Sequence, residues 1–224
     1  MNDTQLPMSN RKRRTLGRPA RTNDPDKTKQ DIIAVATHEF AAKGLSGARI
    51  DEIADRTRTS KRMIYYYFGS KEGLYLKVLE EAYRQIRNSE SELKLEHLSP
   101  EEGLAQIVSA TFDYHHTHPD FARLVMNENI HEGKYLAKSK MIQRLNVPAI
   151  AALHAIYERG VRAGVFRQGL DPVDLHMSIS AMCFFNVSNR FTFSTIFKRD
   201  MSSPTVLDAR RRITVETILR FVRR

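Results

Sequence analysis

The sequence predicts an all-α protein, and two observations carry this prediction. A polar residue followed by proline marks four predicted helix starts, at Ser99-Pro100, His118-Pro119, Asp171-Pro172 and Ser203-Pro204. Proline suits the first turn of a helix, because the backbone N–H that it lacks would have no partner there. In addition, no stretch shows the sustained apolar–polar alternation of a half-buried strand or an Asn-Gly hairpin turn. The sequence therefore predicts a series of helices joined by short connections.

Nine helices are predicted in all. Thr28 is expected to cap the first of them and Gly44 to end it. Ser70 is expected to cap the fourth, and Pro148 either kinks the seventh helix or marks its beginning. The predicted helices lie near residues 28–43, 50–56, 60–67, 71–92, 100–116, 119–130, 140–163, 172–197 and 204–223.

Charge is distributed unevenly along the chain. The 224 residues include 36 Lys and Arg against 26 Asp and Glu, and 15 of the basic but only 9 of the acidic side chains lie in the first 75 residues. Residues 1–25 contain almost nothing to bury and are interpreted as a disordered basic arm. An excess of positive charge at the front of the chain indicates a polyanionic partner.

Cysteine content and hydropathy restrict the compartment. Cys183 is the single cysteine, so no intramolecular disulfide forms. The first residues lack the apolar stretch of a signal peptide. No apolar run approaches the roughly 20 residues that span a bilayer. We therefore expect a soluble, cytoplasmic protein with no membrane partner.

The second and third predicted helices have the pattern of a helix-turn-helix. Ile50, Ile53 and Ala54 share one face of the second helix, and only three residues separate it from the third. In such a motif the second of the two helices enters the major groove of DNA. Ile64 and Phe68, four residues apart, are expected to supply the buried stripe of that recognition helix.

The remaining side chains of the recognition helix are predicted to face outward, with Tyr65 at the border: Lys61, Arg62, Met63, Tyr66 and Tyr67. A tyrosine on an exposed cationic helix donates a hydrogen bond to phosphate or lays its ring against sugar or a thymine methyl group. The alternative is a half-buried aromatic belt that serves packing alone. The cationic neighbours on the exposed face favour DNA contact.

The run "TSKRMIYYYFGSKEGLY" resembles the signature of the TetR/AcrR family of bacterial repressors, and the resemblance extends upstream through "IIAVATHEFAAKGLSGARIDEIA". It covers about residues 28–80, and beyond them only the general plan of a divergent helical domain is similar. The resemblance implies three parts: a flexible basic arm at 1–25, a helix-turn-helix DNA-binding domain at 26–72, and an effector-binding and dimerisation domain at 73–224.

The resemblance also assigns roles by position. It implies that Lys61, Arg62 and Met63 read bases, and that the three tyrosines at 65–67 contact base edges and phosphates. Lys71 falls on the family's phosphate-binding lysine, at a helix N-terminus where free N–H groups also favour an anion.

Three positions depart from the family pattern. Ala48-Arg49 stands where a threonine pair is common, so a hydroxyl cap is lost while Arg49 gains access to a phosphate or a guanine. Arg58 replaces the usual turn glycine, at a cost if that residue needs positive φ. Arg62 replaces a commonly small residue, so the base preference cannot be copied from relatives.

The basic arm offers a second contact with DNA. Gly17-Arg18-Pro19 matches the core of the AT-hook, which lays arginine into the narrow minor groove of A·T-rich DNA. The alternative is a solvated, non-specific polybasic tail. The expected DNA-contact residues are Arg18, Arg49, Thr59, Ser60, Lys61, Arg62, Met63, Tyr65, Tyr66, Tyr67 and Lys71.

The rear of the chain lacks a recognisable catalytic motif: it contains no GxSxG, no HExxH and no phosphate-cradling glycine loop. The histidines of "FDYHHTHPDF" suggest a metal site, but adjacent histidines on a helix point about 100° apart and do not both join one simple site. We expect neither an enzyme nor a cofactor, and we expect these histidines to be mixed surface and pocket residues.

By resemblance, the rear helices enclose an effector pocket and the last two helices pair with a second subunit. The run "MCFFNVSNRFTF" is apolar around much of its circumference, as a helix facing both its own core and a partner should be. A monomeric core is the alternative use of these residues. Polar and aromatic candidates for the pocket lie among apolar positions: Tyr83, Phe112, His115, Phe121, Glu128, Asn129, Met182 and Asn186.

These observations predict a homodimeric regulator that binds palindromic double-stranded DNA, most simply a repressor released by a small-molecule effector. His115 and the amides would suit a small aromatic or heteroaromatic acid. Two other interpretations remain open: a ligand-independent architectural DNA-binding protein, which the basic arm favours, and a metal-dependent enzyme, which only the histidines favour.

Overall fold

A computed structural model describes residues 24–224 and confirms the all-α class. A short 3-10 helix, Leu136–Lys138, separates the sixth and seventh helices. Within 24–224 no strand forms, and the one isolated bridge joins Phe166 to Arg223. The ten α-helices are α1 Pro25–Gly47, α2 Ile50–Thr57, α3 Lys61–Phe68, α4 Lys71–Ser91, α5 Pro100–Thr117, α6 Pro119–Ile130, α7 Lys140–Arg162, α8 Pro172–Ser188, α9 Arg190–Phe197 and α10 Pro204–Val222.

The four proline signals are confirmed, since α5, α6, α8 and α10 each begin at the proline. The first helix starts earlier than predicted, because the cap is Asp24 rather than Thr28. The Asp24 carboxylate accepts the N–H groups of Asp26 and Lys27 at 3.0 and 3.2 Å, and Pro25 occupies the first turn. Gly44 interrupts the helix with φ 66°, and a short further turn continues to Gly47.

The predicted helix at 172–197 is two helices, which was not foreseen. Helix α8 ends at Ser188, and Asn189 separates it from α9 with φ −106° and ψ 5°. The Asn189 amide donates to the Ser188 hydroxyl at 2.8 Å, a local side-chain bond of the kind that competes with helix propagation. Pro148 lies within α7, so the seventh helix begins at Lys140.

Two apolar cores hold the helices together. The first joins α1, α2 and α3 to α4, α6 and the start of α7, and the rings of Phe40 and Tyr75 meet edge to face in it at 5.1 Å. The second joins α5, α7, α8 and α10. The recognition helix is therefore packed into a core that continues directly into the helices behind it.

No helix within residues 24–224 is long and apolar enough to cross a membrane.

Candidate nucleic-acid interface and ligand cavity

The turn between α2 and α3 is fixed by its backbone. Arg58 has φ 52° and ψ 35°, the left-handed conformation that costs a residue with a Cβ atom. Its N–H donates to the carbonyl of Asp55 at 3.2 Å. Two residues later the Ser60 hydroxyl caps α3 by accepting the Met63 N–H at 3.2 Å. The positive φ foreseen at this position is thus present, and an arginine adopts it.

No side chain among residues 24–224 caps the first turn of α2, and a carboxylate of α1 holds the backbone N–H of the residue just before it. Glu39, on α1 and 3% exposed, accepts the N–H of Arg49 at 3.2 Å and pairs with Lys43 at 2.9 Å. Burial alone would raise the pKa of Glu39, but the hydrogen bonds from Lys43 and Arg49 and the charges of Lys43 and Arg56 hold it below its usual value. Glu39 therefore stays ionised and anchors the first helix of the motif.

The faces of α3 largely follow the prediction. Ile64 is fully buried, whereas Tyr66 is 77% exposed and Tyr65 39% exposed. Tyr67 and Met63 are half-buried rather than outward-pointing. The Tyr67 ring packs against the first core, with the Lys29 ammonium 5.5 Å from its centroid. Tyr66 is thus the tyrosine that α3 presents most fully to solvent.

The predicted basic residues around this face differ in whether they already have a partner within the protein. Lys61 Nζ lies 3.0 Å from Asp51 Oδ1, which ties α3 to α2. Lys71 Nζ donates to the Ser46 carbonyl at 3.3 Å. Arg49 and Arg62 are exposed. Both lysines therefore have an acceptor within the protein, which either would have to release in order to bind a phosphate.

Thr59 and Ser60 lie on a groove between the start of α1 and the start of α3. This groove also includes Lys27 and Thr28, which the sequence interpretation did not select. A lysine in the first turn of α1 was the available signal. Arg18 lies outside the described residues.

Beyond α1, α2 and α3, two adjoining cavities of about 590 and 410 Å³ open among α4, α5, α7 and α8, with α6 lining the larger. Four residues border both: Arg87, Glu90, Thr111 and His176. None of the four was selected from the sequence. Their spacing in the sequence could have identified two of them, because Arg87 and Glu90 lie four residues beyond Tyr83 and Ile86 on the same face of α4.

Half of the predicted pocket residues meet at the larger cavity: Tyr83, His115, Phe121 and Asn129. Three of them form an aromatic wall. The Phe121 ring centroid lies 5.3 Å from that of Tyr83 and 5.6 Å from that of His115. Phe184 closes the other side of His115 at 5.8 Å. The arrangement provides flat apolar surfaces around a polar imidazole.

The other four predicted pocket residues line neither cavity. Phe112 and Met182 pack in or against the second core. Glu128 accepts the N–H groups of Tyr135 and Leu136 at 3.2 and 2.8 Å, so its buried carboxylate closes the loop after α6.

Asn186 is likewise engaged within the fold, because Arg210 Nε donates to its side-chain oxygen at 2.9 Å and its amide donates to the Met182 carbonyl at 2.7 Å.

Burial and the Arg87 cation shift the pKa values of the groups around the cavity junction, and a second, exposed arginine, Arg144, lines the smaller cavity. Burial, reinforced by the charge of Arg87, lowers the pKa of His115 to about 4. The same two causes lower the pKa of His176. Burial raises the pKa of Glu90, and Arg87 opposes that change. Both histidines are therefore neutral near pH 7, and Arg87 is the fixed positive charge at the junction.

The histidine-rich segment does not assemble into a metal centre. His115 points into the cavity wall, while His118 stacks on Tyr114 at 4.2 Å outside it. Asp113 Oδ2 is 3.0 Å from Arg211 Nη2. Across residues 24–224, no group of three or more His, Cys, Asp or Glu side chains is placed to hold a metal ion.

Comparison with known proteins identifies both parts of the chain. Residues 32–78 match the family described as bacterial regulatory proteins, tetR family, and residues 100–218 match the tetracyclin repressor-like C-terminal domain. The HTH-type transcriptional repressor NicS of Pseudomonas putida is 35% identical over 182 residues, 81% of this chain and 86% of that protein. The HTH-type transcriptional repressor SCO4008 of Streptomyces coelicolor is 34% identical over 139 residues, 62% of this chain and 69% of that protein.

Solved structures share the same architecture. A regulatory protein of the tetR family from Rhodococcus RHA1 superposes with a TM-score of 0.67 at 23% identity, over 88% of this chain and 97% of its own. The ketosteroid transcriptional regulator KstR2 of Mycobacterium tuberculosis superposes with a TM-score of 0.65 at 18% identity, over 90% of this chain and 96% of its own. With a helix-turn-helix in front and a cavity-bearing helical domain behind, this chain belongs to the TetR family of DNA-binding transcriptional regulators.

Proposed function

We propose that the protein is a homodimeric repressor that binds a palindromic operator in the cytoplasm and leaves it when a small molecule occupies the cavities behind the DNA-binding helices. It acts by binding and not by catalysis. In this proposal residues 26–72 bind DNA, and residues 73–224 bind the effector and pair the subunits.

Helix α6 is the observation that carries the proposal, because it touches both sites. Phe121 and Val125 line the larger cavity. From the same helix, Asn127 donates to the Phe40 carbonyl of α1 at 3.4 Å, and Asp120 lies 3.2 Å from His38 of α1. A ligand that displaces the cavity face of α6 therefore also displaces contacts to the first helix of the DNA-binding part.

DNA recognition is assigned to the exposed face of α3. Arg62 and Tyr66 are free to reach base edges in the major groove, and Arg49 and Lys71 flank them as phosphate contacts. Thr59, Ser60, Lys61, Met63, Tyr65 and Tyr67 complete the proposed surface, with Arg18 reaching the minor groove from the arm. Two such helices must be held about 34 Å apart to meet successive major grooves.

Dimer formation is assigned to the last three helices, because they expose many large apolar side chains. Among these are Phe185 at 45%, Phe191 at 60%, Ile196 at 67%, Phe197 at 63% and Phe221 at 45% exposure. Large apolar side chains exposed in this number on adjoining helices are typical of a protein interface. Covering it with a second copy also provides the two-fold symmetry that a palindrome requires.

Selection of bound sequences from a random double-stranded library tests the proposal. The intact protein should select an inverted repeat and should sediment as a dimer at micromolar concentration. A stable monomer, or selected sequences without two-fold symmetry, would contradict the proposal.

Two variants of α3 test the assignment of its faces on the selected site. Tyr66→Ala should weaken binding by about 1–3 kcal/mol, the value of a good groove contact, and leave thermal stability within about 1 kcal/mol. Ile64→Ala should instead destabilise the fold by about 2–5 kcal/mol. The assignment fails if Tyr66→Ala lowers the melting temperature and keeps full affinity per folded molecule.

A further inference from the structure

The junction of the two cavities contains a charge that the fold does not fully satisfy. The Arg87 side chain is only 10% exposed. Its Nε–H and Nη1–H are buried without a hydrogen-bond partner in the described part of the chain. Its counter-ion is Glu90, whose Oε2 lies 2.8 Å from Nη1 in an ion pair that does not satisfy the Nη1–H as a hydrogen bond. Buried donors without partners are rare in folded proteins and indicate a missing ligand or solvent.

The surroundings of Arg87 add a second unpartnered polar atom. His115 Nδ1 is buried without a hydrogen-bond partner in the same part of the chain, and the His115 ring belongs to the aromatic wall formed with Tyr83, Phe121 and Phe184. An anion beside Arg87 could receive a hydrogen bond from this imidazole, in its neutral tautomer or after proton uptake. The apolar ring of the same ligand would lie against the aromatic wall.

We infer that the effector is a small aromatic monocarboxylate whose carboxylate binds the Arg87 guanidinium at the cavity junction, displacing part of its pairing with Glu90. This inference rests on the proposed function and specifies the chemical class of its ligand. A guanidinium presents its donors as a planar fork that matches a carboxylate. The cavity volumes of about 410 and 590 Å³ fall within the usual range for small-molecule sites.

Glu90 limits the affinity of Arg87 for a ligand carboxylate in this arrangement. Without ligand it neutralises Arg87, so the empty site holds no isolated charge in a low-dielectric environment. The ligand carboxylate must compete with it, and neutralisation of Glu90 removes the competitor. Removing the cation and removing its counter-ion therefore act in opposite directions on anion binding, which a merely structural ion pair would not produce.

Calorimetric titration of the intact protein without DNA tests the inference. The probes are benzoate and 2-naphthoate, each compared with its neutral amide of the same shape, benzamide and 2-naphthamide. At least one carboxylate should bind about tenfold or more tightly than its amide, the factor expected from one charge-assisted contact. Absence of binding by both carboxylates, or equal binding of carboxylate and amide, overturns the inference.

Three variants locate the contact. Arg87→Met should abolish the preference for carboxylate, while Glu90→Gln should raise carboxylate affinity severalfold. Arg84→Met is the matched control, because Arg84 lies on the same helix, pairs with Glu81 and lines neither cavity; it should bind like the unaltered protein. If Arg87→Met does not fold, the Glu90→Gln result decides: unchanged or weaker carboxylate binding refutes the inference.

Failure of the proposed function gives a different result. Release of the selected operator is followed separately by fluorescence anisotropy with the same probes. A carboxylate that binds through Arg87 and leaves the operator complex intact refutes the proposed release mechanism while supporting the ligand assignment. Release by the neutral amide alone refutes the ligand assignment while supporting the release mechanism.

Discussion

Replacement of Arg58 by glycine should stabilise the protein, against the usual effect of adding glycine. Arg58 holds φ 52° and ψ 35°, and the left-handed region costs a residue with a Cβ atom roughly 1–2 kcal/mol. Glycine avoids that cost but loses roughly 0.5–1 kcal/mol more backbone entropy on folding. The difference between the middle values of these two ranges leaves Arg58→Gly about 0.75 kcal/mol more stable.

Thermal or urea unfolding at fixed protein concentration measures this difference, because the stability of a dimer depends on concentration. Arg62→Gly is the matched control: it removes an exposed arginine close to the same turn, but from inside α3. That control should destabilise by less than about 1 kcal/mol, the full cost of glycine in a helix interior, because Arg62 lies in the first turn of α3. Opposite signs for the two variants would separate backbone conformation from loss of charge.

The same variant also reports on DNA contact. Arg58 borders the groove between α1 and α3, so a phosphate contact there would lower the slope of log affinity against log salt by about 0.9 when the cation is removed. A destabilised Arg58→Gly protein would refute the reasoning about the turn. An unchanged salt slope would remove Arg58 from the DNA surface.

Three other perturbations test the Glu39 contact at the start of α2, the buried histidine and the basic arm. In chemical denaturation, Glu39→Ala should lower the free energy of unfolding by about 1–3 kcal/mol, because it leaves the Arg49 N–H without its acceptor. Glu52→Ala removes only a half-exposed partner of Lys43 and should change the free energy of unfolding by less than about 1 kcal/mol. The folded pKa of His115 is about 4 against an ordinary 6.5, so between these pH values the unfolded chain binds a proton that the folded chain does not, and the free energy of unfolding should fall by roughly 3 kcal/mol as pH drops from 6.5 to 4. His115→Gln should remove that part of the pH dependence. His176 should change the free energy of unfolding with pH in the same direction as His115, and Glu90 in the opposite direction. Deleting residues 1–22 should lower the slope of log affinity for DNA against log salt by about 0.9 for each phosphate that the arm neutralises. If Arg18 enters the minor groove, the deletion should also remove any preference for A·T pairs flanking the half-sites. Equal affinity of the intact protein for A·T and G·C flanks would mean that the arm binds DNA without sequence preference.

Features set by neighbouring residues were predictable from the sequence. Helix starts at Pro100 and Pro172 and the burial of Ile64 follow from local chemistry and a 3.6-residue period. The start of α1 was missed although Asp24-Pro25 carries the same signal as the other four. The break at Asn189 was missed because the apolar pattern continues across it.

Features that depend on two distant elements were not predictable from one sequence. The backbone N–H of Arg49, just before α2, is held by Glu39, which lies ten residues earlier and on another helix. In α5, Thr111 and His115 face the cavity four residues apart, whereas Phe112 is turned about 100° away and enters the second core. Mixed faces of this kind explain why polar residues among apolar ones identified only part of the cavity.

The first core connects the cavity to α3, and the free energy that a ligand must supply to release DNA through it follows from the equilibrium between two conformations. Phe121 lines the larger cavity and also belongs to the apolar core that contains Ile64 of α3, so one continuous core connects the cavity wall to the inner face of α3. Moving an equilibrium from mostly DNA-competent to mostly incompetent requires differential ligand affinity of about 5.5 kcal/mol. Burial of one aromatic ring against Tyr83, His115 and Phe121 supplies roughly 2–3 kcal/mol, and a hydrogen-bonded carboxylate at Arg87 roughly 1.5–3 kcal/mol. Both interactions are needed to reach that value, and both must be absent from the DNA-bound conformation. A ligand that keeps either interaction in both conformations would bind without releasing DNA.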